Sequence, residues 1–325
     1  MEEENMMKGR TVLWIFLAFA LGFLLPVASC VGTGLLTVGL LSQIDGQTTM
    51  PARGAGDAVG VIDLNGMIVG QSTQQVLSSG GITPDRVREL LEQAADRSDV
   101  KAVVVRVNSP GGSVVASDEI YHMFLDFEKP VVIWLGDTAA SGGYYISCGG
   151  DYVYAHPDTL TGSIGVISQF INAQELLEDA GVEVTIITSG PHKDMSSLFR
   201  DMTEEEREIW DGILDQIYDD FVQVVVEARD LPEETVRELA DGRIYTGQQA
   251  AENRLVDEVG LSTDAVAKAA ELAEIEGEPR VVEIRPAPTF LETLYTLQGR
   301  AGAPTLADIL AWAAAPSVAY RLVGP

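Results

Sequence analysis

Cysteine, histidine and positive charge are all scarce in this sequence, and each shortage removes a class of explanation. Of two cysteines in 325 residues, Cys30 lies in an apolar N-terminal run and Cys148 in an apolar helical segment, so no disulfide framework is implied. The three histidines, His122, His156 and His192, are scattered and leave few imidazole bases to choose from. Lysine and arginine total 21 against 49 acidic residues, a formal net charge of -28, and only five of the 21 are lysine. So acidic a surface argues against nucleic acid or an anionic membrane face as a partner. It suits a protein working in concentrated salt, where self-repulsion is screened. No internal repeat is visible.

The N-terminus offers length without charge. From Thr11 to Leu41 there are 31 residues and no charged one, preceded by Lys8 and Arg10. Spanning a bilayer takes about 20 residues, so the run fits one membrane helix and not a hairpin of two. A secretory signal has a shorter apolar core of about 7–15 residues, which favours a retained anchor. The expected arrangement is single-pass in the cell membrane. Residues 1–10 are a cytoplasmic tail, 11–41 the transmembrane anchor, and the bulk of the chain lies on the extracytoplasmic side. Glu2 to Glu4 and Arg53 keep that charge bias modest. Val27-Ala28-Ser29-Cys30 also has the form of a lipoprotein cleavage box, against which stand the apolar residues continuing to Leu41. Residues 42–57 have the Gly, Pro and polar make-up of a linker. The folded region is 58–285, and the Pro- and Ala-rich extension 286–325 has no assigned role.

Within the folded region the pattern alternates. Strands are expected at 58–69, 101–107, 130–135, 152–155, 164–168, 182–188 and 281–285. Helices are expected at 83–94, 114–128, 173–180, 203–228, 232–240 and 262–274. Thr83-Pro84 is a helix start with proline at the first helical position. Thr203 caps the longest helix, and Glu204 to Glu206 suit its N-terminal dipole. Such alternation implies a mostly parallel sheet with covering helices.

The chain is organised around Asp137 to Gly150, DTAASGGYYISCGG. Gly136 and Asp137 are expected to close the strand before it, and Tyr144, Tyr145 and Cys148 follow at helical spacing. Strand, turn and helix then put Ser141 at or just before a helix N-terminus with its hydroxyl exposed. The plain alternative is a serine N-cap. Two more loops follow strands: Gly111-Gly112, and Ser189 to Ser197 with Lys193. In open α/β sheets, sites form at the carboxyl ends of strands, so the three loops could converge. A nucleophilic serine needs a base and donors for the oxyanion. Gly111, Gly112 and Gly142 offer unobstructed N–H groups, although Pro-Gly-Gly also makes a simple turn. His122 sits mid-helix and His156 precedes Pro157 at a strand end. His192 adjoins Lys193, which makes the two rival bases. A lysine serves as a base only when neutral, which requires local desolvation. The acidic background, Asp194 included, opposes this, and a solvated Lys193 is the alternative.

Several motifs, in order, resemble the signal peptide peptidase A family. They are Ser-Pro-Gly-Gly-Ser (109–113), Ala-Ser-Gly-Gly-Tyr-Tyr (140–145), Thr161 to Val166, the Gly-x-x-Lys-Asp loop at Gly190 to Asp194, and Gly-Arg-x-Tyr-Thr-Gly at 242–247 with its continuation to Gly260. The similarity runs from about residue 58 to 275. It implies a membrane-anchored serine protease with an α/β fold of Clp protease/crotonase type, its mostly parallel sheet covered by helices, so that 58–285 is the protease domain. It also implies that Ser141 is the nucleophile and Lys193, 52 positions later, the general base. Gly111 or Gly112 would form the oxyanion hole with Gly142, and Ser163 would hydrogen-bond the lysine. No metal or nucleotide cofactor is expected. The implied partners are signal peptide remnants and other hydrophobic or unfolded peptides, the membrane through the N-terminal helix, and further copies in a homo-oligomeric ring. In such a ring Ser141 of one protomer meets Lys193 of its neighbour. Two other functions stay open on the residues: a non-catalytic membrane scaffold, and a crotonase-like acyl-CoA enzyme using the glycine loop on a thioester enolate.

Overall fold

The computed structural model of the chain describes residues 56–70 and 81–285. The expected anchor at 11–41, Cys30, almost all of the linker and the extension 286–325 lie outside the described residues. Among the described residues no helix is long and apolar enough to cross a membrane.

The sheet grows outward from two strands of small and β-branched residues. β1 (Ala58–Asn65) and β2 (Val100–Ser109) run parallel, with Gly60 opposite Val103 and Ile62 opposite Val105. Alternate residues of β2 serve opposite faces. Val103, Val105 and Val107 join the larger core, whereas Ala102 and Val104 join a smaller one. Burial on both faces is the mark of a parallel sheet covered on both sides. β3 (Val131–Ala140) pairs with the other side of β2, and β8 (Arg280–Ile284) with the outer side of β1.

β3 is the branch point. Its first half, Val132 to Leu135, pairs with β4 (Tyr152–Ala155), which in turn carries β7 (Glu258–Val259). Its second half, Thr138 to Ala140, pairs with β5 (Leu160–Gly162), and β5 carries the antiparallel β6 (Ile244–Thr246). The turn expected at Gly136-Asp137 is therefore absent. The strand passes through those residues because a new neighbour, β5, takes over the ladder. Asn108 Oδ1 also accepts the Thr138 N–H at 3.1 Å where the β2–β3 register shifts. β5 itself falls between the expected strands at 152–155 and 164–168, where no element is expected from the sequence.

On the larger face lie α1 (Pro84–Asp96), α2 (Val114–Leu125) and α3 (Gly142–Ser147). Thr83 caps α1 through Arg86 N–H at 3.2 Å. Helix α2 ends at Leu125, short of the expected Glu128, with Asp126 as its C-cap. After α4 (Gln174–Asp179) comes α5 (Glu204–Arg229), opened by a reciprocal capping box between Thr203 and Glu206. α6 (Glu233–Leu239) and α7 (Gly247–Glu252) follow, and α8 (Ser262–Leu272) covers the smaller core with Ala265, Ala269 and Ala270.

Two expected strands do not form. Ile164 is buried and its carbonyl accepts the Gly242 N–H, but from Gly165 onward the chain leaves the sheet and 165–168 have no strand beside them. Residues 182–188 are unpaired for the same reason. From Gly165 to Glu205 no residue is buried. We call this segment the arm.

Candidate active site

At the end of β3, Ser141 adopts φ 53° and ψ −124°. Such a backbone costs a non-glycine residue about 1–3 kcal/mol and persists only where its surroundings impose it. Here the Ser141 N–H donates to Gly162 O at 2.8 Å, and its carbonyl accepts from the N–H groups of Tyr144 and Tyr145 at 2.9 Å each. The two tyrosines are themselves fixed. Tyr144 OH donates to Leu255 O at 2.7 Å, and Tyr145 OH to Asp118 Oδ1 at 2.8 Å. Ser141 occupies the N-cap position of α3, yet its side chain makes no capping bond. The plain alternative, a serine present for capping, does not describe it.

The glycine loop lies directly on this turn. Gly111 and Gly112 have φ of 97° and 154°. A Cβ on Gly111 would come within 2.7 Å of Gly142 N, and one on Gly112 within 2.0 Å of Ile68 O. On Gly142 it would meet Ser117 Oγ at 2.5 Å and Gly112 N at 3.2 Å, so the backbones of Gly112 and Gly142 lie close together beside the serine. Ile68 fastens the loop, donating to Gly111 O and accepting from Ser113 N–H at 2.9 Å each. The Gly111 N–H is engaged by Ser109 Oγ at 3.1 Å. Among the described residues the N–H groups of Gly112 and Gly142 have no acceptor. Of the two candidates Gly111 and Gly112, the second is therefore the one with a donor to offer.

Ser141, Gly112, Gly142 and Ser163 line a common cleft of about 980 Å³. Ser163 also has positive φ, 50°, and follows Gly162, the residue that pairs with Ala140 and bonds Ser141 N–H. Val114, Val115, Ile167 and Leu214 give the walls an apolar character. The charged groups lining the cleft are Asp118, Asp215, Asp220 and Asp241, with no cation among them.

Lys193 is elsewhere. The 190–197 segment, within the expected loop, is a run of tight turns (Lys193 N–H to Gly190 O 3.3 Å, Ser197 N–H to Asp194 O 2.8 Å). The Lys193 side chain is exposed and, among the described residues, has no partner for its ammonium. Its neighbour Asp194 is bound by Arg200, whose guanidinium also binds Glu206 at the start of α5. From Glu206 the helix runs 15 residues to Phe221, roughly 22 Å at 1.5 Å per residue, before the Phe221 ring meets Tyr145 at 5.0 Å. The same helix lines the serine cleft from Leu214 onward, roughly 12 Å past Glu206, and Lys193 is not among the residues lining that cleft. Within one chain the structure does not bring them together.

The other candidates for the chemistry fall away. His122 is exposed with Nδ1 2.9 Å from Asp118 O, and His156 Nδ1 accepts the Asp158 N–H at 3.2 Å in a turn. His192 Nε2 is 3.6 Å from Glu205 Oε1, and none of the three lines the cleft. Cys148 is buried and unpaired, and burial pushes its thiol up to about 12, so at neutral pH it is no rival nucleophile. No group of acidic, histidine or cysteine side chains among the described residues could hold a metal ion. Sequence reasoning missed Ser109, Ser117 and Arg200. Only Ser109 had a signal, its place at the head of Ser-Pro-Gly-Gly.

Comparison with known proteins agrees with the architecture. Residues 123–276 match Peptidase family S49, and residues 79–161 match the Clp protease family, in line with the Clp-type fold that the sequence resemblance implied. A Synechocystis protein named as a protease is 45% identical over 185 residues, covering 56% of this chain and 66% of that protein. An Enterococcus faecium protein named as a signal peptide peptidase is 40% identical over 208 residues, 63% of this chain and 60% of the other. A protein of Methanocaldococcus jannaschii named as a protease is 37% identical over 211 residues, 62% and 68% respectively. The chain thus spans about two thirds of the length of these relatives.

Proposed function

The chain belongs to peptidase family S49, and from that premise we propose that it is a serine endopeptidase with Ser141 as nucleophile and Lys193 of a neighbouring protomer as general base. The observation that carries this reading is the strained, uncapped Ser141 beside two amides with no acceptor. In the proposed reaction a neutral Lys193 amine takes the Ser141 proton as Oγ attacks the peptide carbonyl. The N–H groups of Gly112 and Gly142 receive the developing oxyanion. Collapse of the tetrahedral species expels the amine, which takes its proton from the lysine ammonium and leaves an acyl-serine ester. Water, deprotonated by the Lys193 amine, then attacks the ester, and the lysine ammonium returns that proton to Ser141 Oγ as the acid leaves. Ser163, on the cleft wall, is the residue we assign to hydrogen-bond the arriving lysine.

A shared site explains two otherwise separate facts: a serine cleft with no cation, and an exposed lysine with no partner on an arm that buries nothing. Packing the arm against a second copy would cover its apolar side chains and deliver the amine. It would also desolvate the amine, as a lysine base requires. The apolar cleft walls suit hydrophobic stretches of peptide, signal peptide remnants among them, and residues 11–41 would hold the domain at the membrane on its extracytoplasmic side. The deciding experiment is trapping. Incubation with a fluorophosphonate should yield one adduct, on Ser141, located by peptide mass spectrometry. An unlabelled Ser141 in protein that cleaves casein would overturn the assignment, and an unlabelled, inactive, CoA-binding protein would return the crotonase alternative.

A further inference from the structure

The five N–H bonds of the Arg200 guanidinium are all used. Nε donates to Asp194 Oδ2 at 2.8 Å, and one terminal nitrogen to Asp194 Oδ1 at 2.8 Å and Glu206 Oε1 at 2.5 Å. The other donates to Glu206 Oε2 at 2.8 Å and to the Asp201 carbonyl at 2.9 Å. Planar, bidentate pairing of this kind fixes geometry in a way a lysine could not reproduce. Glu206 is 1% exposed and closes the system, since its Oε2 also accepts the Thr203 N–H at 2.9 Å. In a segment that otherwise buries nothing, this is the one fully satisfied polar cluster. It ties the residue next to Lys193 to the first turn of the longest helix.

We propose that Arg200 is a positioning residue for Lys193: it holds the adjacent Asp194 carboxylate against α5, which orients the lysine loop and keeps the acid next in sequence from pairing with the amine. The inference rests on the reading of Lys193 as the general base. An acidic neighbour in sequence is the obvious obstacle to a neutral lysine, and here that carboxylate already serves another cation. The same bond holds Asp194 below the usual carboxylate range, and Arg200 with Thr203 holds Glu206 down at about 2, so both stay ionised wherever a peptidase would work. The charged and titratable groups around the loop are His192, Asp194, Arg200, Glu205 and Glu206. In the assembled site they are joined by the cleft carboxylates Asp118, Asp215, Asp220 and Asp241 of the neighbour. Arg200 is the only fixed cation among them.

The test uses the full-length protein in its oligomeric form, a fluorogenic peptide, and four variants. Arg200→Met should lower kcat at least about tenfold with KM within about twofold, because orientation of the base is lost while the peptide cleft is untouched. Its rate should also reach half-maximum at a pH higher by about half a unit or more, since Asp194 becomes free to pair with the ammonium. Adding Asp194→Asn to that variant should return the half-maximal pH toward wild type without restoring kcat. An unshifted profile, or a shift that Asp194→Asn leaves in place, overturns the proposal. If Arg200→Met does not assemble, Asp194→Asn alone decides, because it leaves the Arg200–Glu206 pair and the capping box intact. The proposal requires an almost unmoved half-maximal pH there, and a fall of about half a unit would overturn it. Lys193→Ala separates the two levels. If it stays active, the base assignment fails and this inference with it. If it is inactive while Arg200→Met behaves as wild type, only the inference fails.

Discussion

The sheet around Ser141 and the arm that carries Lys193 use similar amino acids to opposite ends. In β3, Val131, Val132, Ile133 and Leu135 are each 1% exposed or less. In the arm, Ile167 and Ile187 are 89% and 92% exposed, and Val182, Val184 and Ile186 all stay above 40%. Neither composition nor β-propensity separates the two, because β-branched residues favour a strand only where a pleated, half-buried surface receives them. What differs is the neighbour. β3 has β2 on one side and β4 and β5 on the other, whereas residues 182–188 have no strand of their own chain beside them. Each of these arm side chains is left to solvent by its own chain, whereas the same residue types in β3 are covered. The sheet is covered within the chain, but no residue of the arm is buried by it.

The largest expected effect lies on the covered side. Ser141→Ala should abolish peptide cleavage while leaving the melting temperature at or slightly above that of the wild type, since among the described residues the hydroxyl has no hydrogen-bond partner. A variant that still cleaves casein at a near wild-type rate would remove Ser141 from the mechanism.

The next experiment joins the two regions. Ser141→Ala and Lys193→Ala, each inactive alone, should recover activity when co-expressed, because an intact serine then meets an intact lysine in roughly a quarter of the sites of a randomly mixed symmetric ring. Mixed oligomers, confirmed with two affinity tags yet wholly inactive, would show the dyad to be intramolecular and the arm to have another purpose. His192→Ala should keep most of its activity, in contrast to Lys193→Ala. The reverse pattern would make the enzyme a Ser–His one.

Truncation separates the regions energetically. Ile133→Ala removes a fully buried side chain from the sheet and should cost about 2–5 kcal/mol in denaturant unfolding. Ile187→Ala should change the stability of the isolated chain by no more than about 0.5 kcal/mol, as exposed positions do. Ile187→Glu should instead shrink the particle in light scattering and lower activity in step. A particle of unchanged size would mean that the arm is not an interface.

The same contrast explains what was legible in the residues. Thr83-Pro84 and the Thr203–Glu206 box mark helix starts because capping is local chemistry, and the all-apolar run of β2 marks a strand buried on both faces. The Ser-Gly-Gly-Tyr-Tyr turn was legible for the same reason, as strand, glycines and helix period follow in sequence. Long-range facts were not. β3 runs past Gly136-Asp137 only because β5, about 20 residues on, pairs with its second half. The strands expected at 164–168 and 182–188 fail because no local signal says whether a partner exists. Nor could spacing show that the Gly111 N–H turns to Ser109, or that Lys193 does not line the cleft of the serine in its own chain.

The smallest effect concerns charge, and it too should fall unequally on the two regions. With 49 acidic and 21 basic residues, even complete ion pairing would leave 28 carboxylates uncompensated. Salt weakens both the repulsion among these and the attraction within exposed pairs such as Arg237–Glu233. The repulsive set is the larger, and exposed pairs are worth only about 0–1 kcal/mol each. Screening should therefore stabilise on balance, and the melting temperature should rise from dilute buffer to molar KCl. Hydrogen exchange should locate the gain. The amides of β1 to β3 already owe their protection to burial and should change little. Those from Gly165 to Glu205, where no residue is buried within the chain and which a second copy would cover on the proposed reading, should slow more. A melting curve that is flat or falls with salt would mean the charge is already compensated within the fold. A rise with equal slowing in sheet and arm would mean that salt acts on the whole chain, and not on the meeting of two copies.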